Sequence, residues 1–149
     1  MEAVETVEPV AVKKKTTQSD AQTVVEDFLH ACSTLDLDAA LELIAEDCVY
    51  KNVHFHTARG KRNVVKAFQA MGKAVTEFKV DMLNIATNGN VVLTERVDTL
   101  GGKYFRAELP IMGVFVVKDG KITEWRDYFD WSLSFGKFVG SLFSSPFRK

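Results

Sequence analysis

Apolar residues recur every three to four positions in much of the first half of the chain, and at every second position in most of the second half. The longer period predicts three helices. The first begins at Ser19, where Ser19-Asp20-Ala21-Gln22 has the spacing of a capping box, and the second is a short helix capped by Asp36 or Asp38. The third is expected from Arg62 to Ala74.

The alternating pattern predicts five strands. They are expected at Cys48 to Val53, Glu77 to Thr87, Val91 to Thr99, Tyr104 to Val117 and Ile122 to Asp130. Asn88-Gly89 predicts a type I′ hairpin and Asp119-Gly120 a second hairpin, while Pro110 and Gly113 predict a bend or bulge. His54 to Gly60 is typical of a loop. Helices followed by antiparallel strands indicate an α+β fold with helices on one face of a curved sheet.

The chain of 149 residues is long enough for one domain. Residues 1–18 are polar and are predicted to be a disordered tail, and residues 19–149 are predicted to form a single domain. That domain is expected to end in a helix rich in phenylalanine, with Phe135, Phe138 and Phe143. These side chains are expected to pack in the core or against a second copy. A lid over a bulky substrate and weak affinity for a membrane surface are the alternatives.

Charge and cysteine content argue against several classes of protein. The 19 basic residues are balanced by 20 acidic ones, so the basic excess of a nucleic-acid binder is missing. Cys32 and Cys48 cannot form a disulfide framework, and no Cys-x-x-Cys spacing points to zinc. No window approaches the ~20 apolar residues of a membrane span, and the first residues lack the pattern of a signal peptide. We therefore expect a reduced, cytoplasmic, soluble protein without stable membrane insertion.

Polar residues on otherwise apolar strands are the candidates for chemistry. Tyr50 and Asn52 share one strand face, as do Arg96 and Asp98, because alternate residues of a strand point the same way. Asp127 lies between two aromatic residues of its own face, and a buried carboxylate is costly unless it is paired. Arg96 is therefore expected to contact Asp127.

The third predicted strand is apolar on both faces, which predicts burial on both sides. Val91, Leu93 and Val97 are expected on one side, and helices are expected to cover one face while the other lines a cavity with Arg96 and Asp98. A cross-strand ion pair, ordinary polar strand residues and a carboxylate satisfied by the backbone would give the same pattern. The residues alone therefore leave a catalytic site and a structural network open.

Four segments resemble the limonene-1,2-epoxide hydrolase family. They are Tyr50-Lys51-Asn52, Thr94-Glu95-Arg96-Val97-Asp98, Gly113-Val114-Phe115 with Gly120-Lys121-Ile122-Thr123, and Trp125-Arg126-Asp127-Tyr128-Phe129-Asp130. The resemblance covers most of the chain after Ser19. It implies the cone-like α+β fold of nuclear transport factor 2 and ketosteroid isomerase, with a strongly curved mixed sheet, usually as a homodimer. It also implies five catalytic residues, Tyr50, Asn52, Arg96, Asp98 and Asp127, and no metal or other cofactor.

The resemblance implies a one-step acid–base mechanism without a covalent intermediate. Asp127 would be the base that activates a water held with the help of Tyr50 and Asn52, and Asp98 the acid that protonates the epoxide oxygen. Arg96 would lie between the two carboxyl groups, which would share one proton. Keeping that proton at pH 7 requires a pKa shift of roughly three units from ~3.9. The implied substrates are water and an apolar, bulky epoxide, such as a lipid or terpenoid epoxide.

Further positions are assigned more broadly. Leu109, Ile111 and Phe129 are expected to line the substrate pocket. His54 and His56 lie in a loop without the proline-rich character expected of the family, and with no third ligand evident they are expected at a rim rather than at a metal. Two other functions stay open: an isomerase or cyclase of the same fold, and a non-catalytic protein that binds small molecules.

Overall fold

A computed structural model describes residues 18–53, 57–130 and 132. These residues form three helices and six strands, which gives the α+β fold predicted from the sequence. The helices are α1 (Gln18–Ser33), α2 (Leu37–Glu42) and α3 (Lys61–Gly72); the strands are β1 (Ile44–Asn52), β2 (Thr57–Arg59), β3 (Glu77–Asn88), β4 (Val91–Gly102), β5 (Phe105–Lys118) and β6 (Lys121–Phe129).

The six strands form one open mixed sheet in the order β2-β1-β6-β5-β4-β3. Strands β1 and β6 are parallel, and the other neighbouring pairs are antiparallel. Of the six described strands, the first and the last in chain order, β1 and β6, therefore lie side by side. This pairing sets Asn52 opposite Asp127.

The core lies between the helices and one face of the sheet, and aromatic rings join the two layers. The Trp125 ring on β6 stacks on Tyr50 of β1 with centroids 4.1 Å apart, and it meets Phe28 of α1 edge-on at 5.1 Å. Phe68 of α3 and Phe115 of β5 each lie 5.8 Å from the same ring. Trp125 is therefore fixed from both layers, which holds the residues that follow it on β6.

The two hairpin turns differ from each other. At Asp119-Gly120 both residues have positive φ, 51° and 73°, as a type I′ turn requires. At the first hairpin Asn88 pairs with Val91, so the turn residues are Gly89 and Asn90 rather than Asn88 and Gly89. Since φ is positive only at Gly89 of these two, the prediction of a type I′ turn there is wrong.

Other local predictions about the strands need correction. The ladders of β5 run through Pro110 and Gly113 without a register shift, so no bulge lies there. Register shifts occur instead between Met82 and Asn84 of β3, between Val116 and Val117 of β5, and within β1. Part of the expected loop, Thr57–Arg59, is a strand that pairs with β1. Strand β4 continues three residues past its predicted end at Thr99, to Gly102.

Within one chain, the predicted burial of both sheet faces is also wrong. Arg96 and Asp98 share their face with the core, so the cavity lies on the same side as the helices and not on the opposite side. Of the residues described, apolar side chains of the opposite face are exposed, Leu93 by 45% and Met112 by 53%. The alternation of a strand identifies its two faces but does not say what covers each of them.

Several predictions fall on residues outside the described ranges. They concern the tail up to residue 17, His54 and His56, and the helix rich in phenylalanine with Phe135, Phe138 and Phe143. In the ranges that the structure describes, none of the helices is both long and apolar enough to cross a bilayer.

Candidate active site

All eight residues proposed from the sequence border one cavity of about 850 Å³ between the sheet and helices α1 and α3. Five are polar and three apolar. They are Tyr50, Asn52, Arg96, Asp98 and Asp127, and Leu109, Ile111 and Phe129. Strand pairing brings them together: Asp98 faces Leu109 on β5, Arg96 faces Ile111, and Ile111 faces Phe129 on β6.

Arg96 is 1% exposed and joins two buried carboxyl groups. Its Nε donates to both carboxylate oxygens of Asp98, at 3.0 and 3.1 Å, and its Nη2 donates to Oδ1 of Asp127 at 2.8 Å. The remaining nitrogen, Nη1, donates to Oγ1 of Thr94 at 2.9 Å. The predicted contact between Arg96 and Asp127 is therefore confirmed, and every nitrogen of the guanidinium has a partner.

Asp127 uses one of its two oxygens for these contacts. Oδ1 accepts from Nη2 of Arg96 and from Nε1 of Trp125, the latter at 2.9 Å. Within the described ranges Oδ2 accepts no hydrogen bond. That oxygen is therefore open to a ligand in the cavity.

Tyr50 and Asn52 lie beside Asp127 on the neighbouring parallel strand. Nδ2 of Asn52 donates to the Tyr50 hydroxyl oxygen at 3.3 Å, and Oδ1 of Asn52 is buried without a hydrogen-bond partner. A buried polar atom without a partner is rare and indicates a ligand or water site. The Asn52 carbonyl and the Tyr50 hydroxyl can therefore accept from and donate to a molecule next to Asp127.

Burial dominates the acid–base properties of the site. It raises the pKa of Asp98 from 3.8 to about 6, although the Arg96 guanidinium opposes this shift. Burial also raises the pKa of Asp127, against the hydrogen bonds from Arg96 and Trp125. The pKa of Tyr50 is raised, chiefly by burial, so its hydroxyl keeps its proton. Burial lowers the pKa of Arg96, but the attraction of Asp127 and Asp98 outweighs it and the pKa is raised overall.

These directions agree with a shared proton, and the shift at Asp98 is smaller than the mechanism requires at pH 7. About two units separate 3.8 from 6, where roughly three were expected. Two carboxyl groups that both have raised pKa values and that contact the same guanidinium titrate as a unit. The cluster therefore holds one proton most fully at mildly acidic pH.

Sequence reasoning missed two kinds of site residue. Leu29 and Phe68 belong to helices and border the cavity, but helical periodicity predicts burial without distinguishing core from cavity. Thr94 was part of the motif and received no role. Its place two residues before Arg96 was the available signal, because the two side chains share a face.

Comparison with known proteins identifies relatives of the same architecture. The sequence profile of the limonene-1,2-epoxide hydrolase catalytic domain matches residues 19–138. Epoxide hydrolase EphG of Mycobacterium tuberculosis is 42% identical over 106 residues, which are 71% of this chain and 70% of that protein.

Solved structures agree. An LEH-like epoxide hydrolase of M. tuberculosis superposes with a TM-score of 0.77 at 37% identity, over 85% of this chain and 95% of the other. An NTF2-like protein of Burkholderia xenovorans superposes with a TM-score of 0.67 at 22% identity, over 82% and 97%, and shows the fold alone. The NTF2-like fold implied by the sequence motifs is thus confirmed. With four fifths of its residues matched by the family profile, the chain belongs to the limonene-1,2-epoxide hydrolase family.

Proposed function

We propose that the chain adds water to an apolar, bulky epoxide and forms a vicinal diol in one step, without a covalent intermediate. Membership of the family makes it an epoxide hydrolase, and the proposal concerns the mechanism and the class of substrate. The observation that carries it is the position of Arg96 between Asp98 and Asp127 at one end of an apolar cavity.

The nucleophilic water is assigned to the space between Asp127, Asn52 and Tyr50. Such a water can donate one hydrogen to Oδ2 of Asp127 and the other to Oδ1 of Asn52, and it can accept from the Tyr50 hydroxyl. Both acceptors are free of other hydrogen bonds from described residues. Asp127 then removes a proton as the water attacks an epoxide carbon, and positioned general-base catalysis of this kind contributes typically 10²–10⁴-fold.

The proton for the epoxide oxygen is assigned to Asp98. Asp127 accepts hydrogen bonds from both Arg96 and Trp125, which favour its ionised form. Asp98 accepts from a single N–H group, that of Arg96 Nε. The raised pKa of Asp98, about 6, leaves the proton available at mildly acidic pH. When the C–O bond breaks, Asp98 protonates the oxygen, so the product leaves as a neutral diol and the proton gained by Asp127 must return to Asp98.

The size and lining of the cavity support a bulky apolar substrate. Its volume of about 850 Å³ is near the upper end of the ~300–1,000 Å³ usual for small-molecule sites. Beyond Asp98 the cavity continues along β4 and β5 past Leu100 and Ala107 to Phe105. Leu109, which faces Asp98, lies four residue steps from Phe105 along β5, a length of roughly 13 Å at ~3.3 Å per residue.

A homodimer and a cytoplasmic location belong to the same proposal. The sheet face turned away from the cavity exposes Leu83, Leu93, Met112 and Tyr128, and exposed apolar patches mark interaction surfaces. We assign this face to a second copy, and sedimentation velocity of the full chain at increasing concentration tests the assignment. Cys32 and Cys48 are both free thiols, as is usual for a reducing compartment.

Diol formation from a panel of epoxides tests the proposal. A small cyclic epoxide, a terpene epoxide and a mid-chain fatty epoxide cover the size range, and chiral chromatography detects the diols. We expect turnover that rises with substrate size and requires Asp127. Isomerised carbonyl products would favour an isomerase, and binding of the epoxides without any product would favour a carrier.

A further inference from the structure

We propose that Thr94 and Gly113 form a seat that positions the Arg96 guanidinium for catalysis, with Thr94 as a positioning residue. The inference rests on the proposed function, because it concerns how the arginine comes to lie between the two carboxyl groups. It is carried by three observations: the hydrogen bond from Arg96 to Thr94, the burial of Thr94, and the space above Gly113.

The hydrogen bonds of Arg96 give Thr94 a distinct task. The edge formed by Nε and Nη2 faces the two carboxyl groups, and Nη1 points away from that edge to Oγ1 of Thr94 at 2.9 Å. Thr94 is only 1% exposed, so water cannot take its place without rearrangement. The guanidinium is a rigid plane, and a third fixed point stops it from turning about the line that joins its two acidic partners.

Gly113 provides the space that this arrangement needs. It lies on β5 directly between Thr94 of β4 and Asp127 of β6, in one row across the sheet. A Cβ atom at position 113 would overlap Nη1 of Arg96 and lie 2.6 Å from Oγ1 of Thr94. Arg96 starts two rows away, opposite Ile111, and its guanidinium reaches Asp127 through the gap that the missing side chain leaves.

The φ angle of Gly113 tells whether glycine is needed here for space or for an unusual backbone conformation. Among the described residues, Gly60, Gly89 and Gly120 have positive φ, whereas Gly113 does not. Any residue could therefore adopt its backbone conformation, and glycine is required for space alone. No bulge lies at this glycine, and the seat for Arg96 gives a physical reason for the residue.

Replacing the Thr94 hydroxyl tests the seat. Thr94→Val keeps the shape of the side chain and leaves Nη1 of Arg96 buried without an acceptor, which destabilises the aligned guanidinium. We expect kcat to fall by about tenfold or more while KM stays within about twofold, because the change alters alignment and not the cavity wall. Thr94→Ser keeps the acceptor and is expected to retain most of kcat. Thr94→Ala, which adds no methyl group beside the guanidinium, is measured as well so that a packing defect of valine does not decide the result.

Thr99→Val is the matched control. Thr99 is a second buried threonine of the same strand, 3% exposed, and makes no hydrogen bond to Arg96. Removing the hydroxyl group of Thr99 is expected to leave kcat within about twofold of the wild-type value. Equal damage by Thr94→Ser and Thr94→Val, or a normal kcat in both Thr94→Val and Thr94→Ala, would overturn the inference.

A titration that does not depend on turnover separates this inference from the proposed function. Carbon-13 NMR of the Asp98 carboxyl group follows its protonation in the wild type and in Thr94→Val. In the variant the Arg96 guanidinium is held less firmly beside Asp98, and it therefore lowers the pKa of Asp98 less. The pKa of Asp98, which burial raises, is expected to rise by about a further half unit or more. An unchanged titration contradicts the seat even if the enzyme is active, whereas a shifted titration in a chain that forms no diol contradicts the proposed function alone.

Discussion

Asn52 and Asp127 face each other across the parallel strands β1 and β6, at the end of the cavity where the polar groups meet. The row continues across the sheet through Gly113 to Thr94. One line of side chains thereby contains the unpaired amide oxygen, the candidate base, the gap for the guanidinium and the hydroxyl that holds it. The mechanism depends on this row because each member belongs to a different strand, and strand register sets the distances between them.

Replacing either carboxyl group with an amide is expected to abolish most activity. Asp127→Asn lacks a base and Asp98→Asn lacks an acid, so we expect kcat to fall by at least about 100-fold in each. Diol formation at saturating epoxide measures the effect, and circular dichroism checks that the fold is kept. Asp81→Asn is the matched control, because Asp81 is a half-exposed aspartate paired with Lys79. Near-normal turnover by either site variant would contradict the assigned roles.

The same variant, Asp98→Asn, is expected to stabilise the protein at alkaline pH. Since the pKa of Asp98 is raised from 3.8 to about 6, the folded state binds the proton more tightly than the unfolded state. The free energy of unfolding of the wild type should therefore decrease by about 2 kcal/mol as the pH rises from about 4 to above 6. Asparagine cannot ionise, so the variant does not show this decrease in the free energy of unfolding.

Urea unfolding at pH 4 and pH 8 measures this difference. We expect the stability of Asp98→Asn relative to the wild type to increase by about 2 kcal/mol between the two pH values. A relative stability that is the same at both would show that Asp98 titrates normally in the folded protein, and the acid would have to be another group.

Arg96→Lys is expected to fail despite keeping the charge. An ammonium group cannot reach Asp98, Asp127 and Thr94 at once, because it is a point charge without the planar fork of arginine. We expect kcat/KM to decrease at least about 100-fold. Arg106→Lys is the matched control, since Arg106 is exposed and lies 3.8 Å from Glu77 and Glu108. Comparable losses in both variants would argue against a special role of the buried arginine.

Narrowing the apolar end of the cavity should select for smaller substrates. Ala107 lines the cavity on β5, and Ala107→Phe is expected to lower kcat/KM for a mid-chain fatty epoxide about tenfold while leaving a small cyclic epoxide unaffected. Ala70→Phe places the same ring at an exposed position of α3 that does not border the cavity and serves as the control. If both substrates were affected equally, the bulky epoxide would not occupy this part of the cavity.

The sequence was sufficient for the fold class and for the grouping of the polar residues. Period-two alternation put Arg96 and Asp98 on one face, and the cost of burying a lone carboxylate predicted the contact between Arg96 and Asp127, which the structure confirms. Both arguments work because strand geometry and charge burial are local or pairwise effects.

Other features depend on contacts that no local pattern reports. Thr57–Arg59 forms a strand only because it pairs with β1, and three residues carry too little periodicity to predict that. Gly113 is explained by the guanidinium of a residue on another strand. The exposure of Leu93 depends on what covers the sheet, which alternation does not specify.

Direct attack by water is the central claim, and a single turnover in water enriched with oxygen-18 tests it most directly. Enzyme in excess over a terpene epoxide converts all substrate once, and mass spectrometry counts the label in the diol. Attack by water activated at Asp127 incorporates one heavy oxygen in the first turnover. An unlabelled diol from that turnover, with the heavy oxygen appearing only in later ones, would mean that a carboxylate of the enzyme attacks the ring, and the account would be wrong.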